Sequence, residues 1–108
     1  MSEITVQPET VVSTRTRRQP PYHVIILNDD HHSMQFVVEV LCKVVGCTVE
    51  RAYEYMMTAH TSGRAVVWTG ALEVAELKAE QIRTFHETLR DGRQLGPLGC
   101  EIEPAPGG

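Results

Sequence analysis

The chain lacks most of what a secreted protein, a nucleic-acid binder or a metalloenzyme needs. Its three cysteines, Cys42, Cys47 and Cys100, form no C-x-x-C pair and no Cys/His metal spacing, and an odd count is a poor disulfide framework. Reduced thiols in a cytoplasmic protein are the expectation. Positive charge is scarce: 14 acidic against 10 basic residues give a formal charge of −4, and the only basic cluster is Arg15, Arg17 and Arg18 in the polar N-terminal stretch. That balance disfavours generic nucleic-acid binding. No apolar run approaches the ~20 residues of a membrane span, and the N-terminal stretch has neither a signal-type apolar block nor an Arg-rich, acid-free transit composition. No membrane contact is expected. There is no HExxH, no HxE with PCxxC, no nucleophile elbow or triad pattern, and no internal repeat.

What is there fits one small domain of 108 residues with tails. Residues 1–20 are Thr-, Gln- and Arg-rich without a sustained apolar face, and Pro20-Pro21 ends them stiffly, so they read as a disordered extension. The domain is assigned to residues 21–103 and a flexible C-terminal tail to 104–108, Glu103 onward being unstructured in composition. Tyr22 to Leu27 is β-rich and apolar. Ser33 is a plausible N-cap for a helix reaching about Val45, with Gln35, Glu39 and Lys43 as its wet stripe and Phe36, Val37, Val40, Leu41 and Val44 as its buried side. Gly46 is a stop, and Thr48 caps a second helix to about Thr61 whose apolar positions are Val49, Ala52, Tyr53 and Met56. Ala65 to Trp68 makes a short strand, a helix follows from about Ala71 to Leu89, and Pro97 to Ile102 supplies a last strand. The order strand, helix, helix, strand, helix, strand predicts a small α/β (α+β) domain, with helices covering one face of a three-stranded antiparallel sheet.

Chemistry concentrates where the first strand stops, at Asn28, Asp29 and Asp30, followed by His31 and His32. Two further positions disobey the amphipathic pattern. Lys78 falls in the third helix's apolar stripe with Ala71, Val74, Ile82 and Phe85, either as a snorkelling lysine reaching water, Glu73 or Glu76, or as part of a partner-binding surface. His60 ends the second helix's apolar face, either as a hydrogen-bonded core residue or as a ligand contact. Should His60 converge with Asn28 and Asp30, three acceptors would suit a cationic guest with three donors, and Met34, Val37, Met56 and Ala59 are available to line an apolar recess beside it. A peptide's free N-terminus meets both requirements. The alternatives are a small metal-binding protein or hydrolase using Asp29, Asp30, His31, His32 and His60, and an interaction domain whose Asn and Asp merely cap a loop.

Taken together, these residues resemble the ClpS family, bacterial adaptors that recognise N-terminal degrons and pass their substrates to a Clp AAA+ unfoldase and its protease. The carriers are Tyr22-His23-Val24-Ile25-Ile26-Leu27-Asn28-Asp29-Asp30, Met34, Phe36-Val37-Val38, Glu50-Arg51-Ala52, Ala59-His60, Gly63-Arg64-Ala65, Glu73-Val74-Ala75-Glu76 with Lys78, and Pro97-Leu98. The resemblance implies a non-enzymatic adaptor without cofactor or metal. It implies that Asn28, Asp30 and His60 hold the α-amino group of an N-degron, and that Ile26, Leu27, His32, Met34, Val37, Met56, Ala59 and Leu98 form the pocket for a first residue such as Phe, Tyr, Trp or Leu. Met34 would be the gate against β-branched residues. Glu73 and Lys78 match positions that dock on the unfoldase, ClpA-like or ClpC-like, and a monomer is the simplest expectation. His31, His32 and Ser33 stand where the commoner family pattern is an aromatic, Thr and Pro, Ala59 stands where Val is usual, and Arg90 to Gly96 looks longer than usual.

Overall fold

The computed structural model describes residues 19–106, so most of the N-terminal extension and the last two residues of the tail lie outside the described residues. Strand β1 spans Tyr22–Leu27, helix α1 Met34–Val45, helix α2 Val49–Ser62, strand β2 Arg64–Gly70, helix α3 Leu72–Arg83 and strand β3 Cys100–Pro104. β1 is the centre of a three-stranded antiparallel sheet in the order β2-β1-β3. This is the small α+β domain that the pattern of elements predicts.

The ends of α1 and α2 form where the sequence places them. Ser33 Oγ accepts from the Phe36 N–H and Thr48 Oγ1 from the Arg51 N–H, each satisfying a backbone donor that the first helical turn leaves orphaned. Gly46 and Gly63 close α1 and α2 at φ of 81° and 92°, left-handed conformations that a Cβ would strain. The core joins Val24 and Ile26 of β1, Ala65 and Val67 of β2, Val37, Val40, Leu41 and Val44 of α1, Ala52 and Ala59 of α2, Ala75 and Ile82 of α3, and Leu98. Ile25 is fully buried between two buried neighbours, so the centre of β1 is shielded on both faces. On the face away from the core, Arg64 of β2 reaches across β1 to Glu103 and Glu101 of β3, at 2.9 and 3.5 Å. Ile25, which pairs with Val66 and Glu101, lies in that row.

Several expectations need correction. α3 ends at Arg83 and not near Leu89: the Thr84 and Phe85 N–H groups turn back to Gln81 O and Ile82 O, and Thr84 Oγ1 adds a 2.6 Å bond to Gln81 O. Leu89 instead sits in a tight loop, its N–H on Arg93 O, with Gly92 at φ 89°. β2 extends beyond Ala65–Trp68 at both ends, and the last strand begins at Cys100: Pro97 has no N–H to give a ladder, while the Gly99 carbonyl still accepts from the Leu27 N–H of β1. Glu103 and Pro104 are paired in β3, and the Ala105 N–H bonds Pro21 O, so those tail residues belong to the sheet. On α2, Val49 and Tyr53 are exposed, and the buried positions are Ala52 and Ala59. The buried stripe of α3 is Ala75, Ala79 and Ile82, with Val74 exposed. Lys78 borders that stripe half-buried, and its ammonium meets neither Glu73 nor Glu76. It donates to Val44 O at the C-terminal end of α1, at 3.0 Å, and lies 5.5 Å from the Trp68 ring. A cation is well placed there, against the negative end of the helix dipole.

Candidate functional site

Two backbone hydrogen bonds decide what meets at the end of β1. The Leu27 N–H donates to Gly99 O at 3.0 Å and the Asn28 N–H to Gly63 O at 2.9 Å. The strand end is thereby fixed between the residue after Leu98 and the C-terminal cap of α2, whose last turn carries His60. The end of β1, His60 and Leu98 are distant in the chain and adjacent in space for this reason.

The result is a cavity of about 380 Å³ lined by Ile26, Leu27, Asn28, Asp29, Asp30, His32, Met34, Val37, Tyr53, Met56, Met57, Ala59, His60 and Leu98. Every residue expected at the α-amino site or in the side-chain pocket lies on this one cavity. Its base is apolar, with Ile26, Val37, Ala59 and Leu98 all buried. Asn28, Asp30 and His60 are exposed, and among the described residues their side chains make no hydrogen bond. His60 is therefore not the core histidine that the apolar face of α2 suggested. Met34 is 56% exposed at the rim.

Asp29 and Asp30 differ in kind although they are neighbours. Asp29 Oδ1 accepts from the backbone N–H of His31 at 2.7 Å and of His32 at 2.9 Å, while Oδ2 is bonded to the His32 ring. Burial pushes the Asp29 carboxyl up, but the two backbone donors and the His32 ring outweigh it and hold the group below its usual range. Asp29 thus folds the loop, whereas Asp30 lines the cavity and its carboxylate has no hydrogen-bond donor among the described residues. His32 is the opposite of a rim group: its side chain is only 4% exposed, stacked on Phe36 with ring centroids 4.9 Å apart.

The ligand supply of the metal alternative is not gathered at one centre. Among the described residues no three His, Cys, Asp or Glu side chains converge to hold an ion, and Asp29 and His32 engage each other instead. The thiols of Cys42, Cys47 and Cys100 are unpaired and half-buried. No helix among the described residues is long and apolar enough to cross a membrane.

Sequence reasoning missed Tyr53 and Met57 as lining residues. The signal was present: Tyr53, Met56, Met57 and His60 follow one another at spacings of three, one and three along α2, a single helical stripe. The apolar positions of the second helix include Tyr53, yet it is 47% exposed and turned to the cavity.

Comparison with known proteins bears on this arrangement. The family described as ATP-dependent Clp protease adaptor protein ClpS matches residues 17–101. The ClpS adapter protein of Roseobacter denitrificans is 39% identical over 94 residues, covering 87% of this chain and 79% of that protein. That of Synechocystis sp. is 38% identical over 95 residues, covering 87% of this chain and 91% of its own. Among solved structures, ClpS2 of Agrobacterium tumefaciens bound to L-phenylalaninamide is 35% identical and superimposes with a TM-score of 0.67, over 82% of this chain and 100% of that one.

Proposed function

The chain belongs to the ClpS family of Clp protease adaptors, which are not catalysts, and from that premise we propose that it binds proteins bearing a bulky hydrophobic N-terminal residue and delivers them to a Clp AAA+ unfoldase in the cytoplasm. The observation that carries this reading is the division of one cavity into an apolar base and a rim where Asn28, Asp30 and His60 have no partners among the described residues. A free peptide N-terminus brings three N–H donors and a positive charge, and these three side chains offer a carbonyl, a carboxylate and a ring nitrogen. The C-terminal end of α2, where His60 sits, adds the negative pole of a helix. The first side chain then fills the recess between Met34, Val37, Met56 and Ala59 on one side and Leu98 on the other. L-phenylalaninamide, the ligand of the related ClpS2, has this pairing of free amine and aromatic side chain.

Burial of a Phe or Leu side chain contributes ~1.5–3 kcal/mol and each charge-assisted hydrogen bond about as much. Each half of the site is therefore necessary for useful affinity. Docking on the unfoldase, ClpA-like or ClpC-like, is assigned to the side of α3 marked by Glu73 and Lys78. Glu73 is exposed, and the Lys78 ammonium spends one of its three donors on Val44 O.

The test is fluorescence anisotropy with peptides identical except for residue one, comparing Phe, Tyr, Trp, Leu, Ile, Val, Met and Ala. Selective binding of Phe, Tyr, Trp and Leu, with Ile and Val rejected past Met34, is the expected result. Equal affinity for Ala and Phe would remove the side-chain pocket from the account.

A further inference from the structure

His32 is bracketed by two acceptors. Its Nδ1 is bonded to Asp29 Oδ2, and its Nε2 lies 2.6 Å from the carbonyl oxygen of Gly96, a residue 64 positions away. A neutral imidazole has one N–H and one lone pair, so either tautomer would press a lone pair against one of these oxygens. Protonating Asp29 offers no way out, because that carboxylate also accepts from the His31 and His32 backbone N–H groups and is held in its ionised form by them. The ring is 4% exposed, which leaves no room for water to replace either partner cheaply.

We infer that His32 is a doubly protonated clamp that fixes the Leu98 wall of the cavity, tying Gly96 to the Asp29 turn, and that this makes it a positioning residue for side-chain selection. Gly96 precedes Leu98 by two residues with the stiff Pro97 between them, so the position of the Gly96 carbonyl largely sets where Leu98 projects. On the far side Gly99 is held by the Leu27 N–H. Leu98 is therefore strung between a side-chain clip and a backbone clip. Other charged or titratable groups stand on the segments that the clamp joins and on the cavity they line. Asp30 and His60 share the cavity, and His31 adjoins in sequence. From the segment 84–99 come Glu87, whose carboxylate accepts from the Ser33 N–H, and His86, bonded to Leu95 O. Phe36 closes the remaining face by stacking. The clamp deepens the peptide-binding reading and, for its effect on selectivity, rests on it.

Nitrogen-15 NMR of the full chain labelled at histidine, at pH 7, separates the two claims. Two protonated ring nitrogens for His32 are expected. A neutral tautomer at pH 7 would overturn the clamp. The variant His32→Phe keeps the stack on Phe36 and removes both donors. It should shift the Gly96 and Leu98 signals, lower affinity for Phe-initiated peptides about fivefold, the loss typical of one hydrogen bond, and change the Phe-to-Leu preference. His32→Gln, which retains one N–H donor for Gly96, should recover part of both. Unchanged Leu98 signals in His32→Phe would overturn the positioning role. Should the wild-type chain bind none of the peptides, the peptide-binding reading fails, and the NMR result alone still decides the clamp.

Discussion

The cavity has two walls that are equally buried and differently held. Val37 and Ala59, at 5% and 3% exposure, stand on helices whose ends are capped and whose backs rest on the core. Leu98, at 3%, stands on the segment 84–99, which has no helix and only an isolated bridge between Thr88 and Gln94. That segment is tied down by single polar contacts: Glu87 to the Ser33 N–H, His32 to Gly96, and Leu27 to Gly99. Burial alone therefore does not report how firmly a wall is placed. A helical wall resists displacement through its whole ladder and core, whereas a tethered wall moves when one tether is lost, and on the proposed function it is the wall through which selectivity would be most easily adjusted.

The largest effect that would sharpen this contrast is in stability. Leu41→Ala empties a fully buried position of α1 and should cost about 2–5 kcal/mol in urea unfolding, whereas Leu98→Ala should fall at or below the low end of that range because its segment can collapse into the space. If Leu98→Ala proved the costlier, the distinction between the walls would fail. Next comes the Asp29 turn. Asp29→Ala should remove about 1 kcal/mol, the usual worth of a side-chain cap on backbone donors, and should weaken peptide binding as well because the Asp30 and His32 positions depend on that turn. The same group gives a pH signature. Its carboxyl titrates lower in the folded chain than the ordinary 3.8, so its contribution is complete above that pH and is lost as acid protonates it in the fold. Urea melts across pH 5 to 2 should show a decline in wild type that is shallower in Asp29→Ala. The smallest effect is in the helical wall: Ala59→Val adds two methyl groups to the recess and should lower affinity for Trp more than for Leu, by about 1 kcal/mol in the difference.

The same contrast explains what could be read without a structure. The β1 strand, both helix caps of α1 and α2, and the buried side of α1 were legible because each rests on local chemistry: β-branched runs, Ser and Thr before apolar stripes, Gly at left-handed ends. The resemblance to ClpS adaptors, carried by short runs in a fixed order, further named residues that do line one cavity. What failed was where tertiary partners decide. Nothing local announces that Thr84 ends α3 or that Lys78 spends its charge on the Val44 carbonyl. Val49 and Tyr53 looked like core by hydrophobicity, and the cavity and its outer rim expose them instead. The position of His32 places it at the pocket, but its bond to Gly96 joins residues too far apart in the chain for any pattern to reveal.

The central claim is that Asn28, Asp30 and His60 recognise a protonated N-terminus. Its most direct test is the dissociation constant of one Phe-initiated peptide, free and N-acetylated, on the wild-type chain and on Asp30→Ala. Acetylation removes the charge and most of the donors, so the account predicts a loss of several kcal/mol on the wild type, ~100-fold or more, and little further loss from acetylation on Asp30→Ala, whose unfolding should match the wild type. Equal binding of the free and acetylated peptides by the wild type would contradict it.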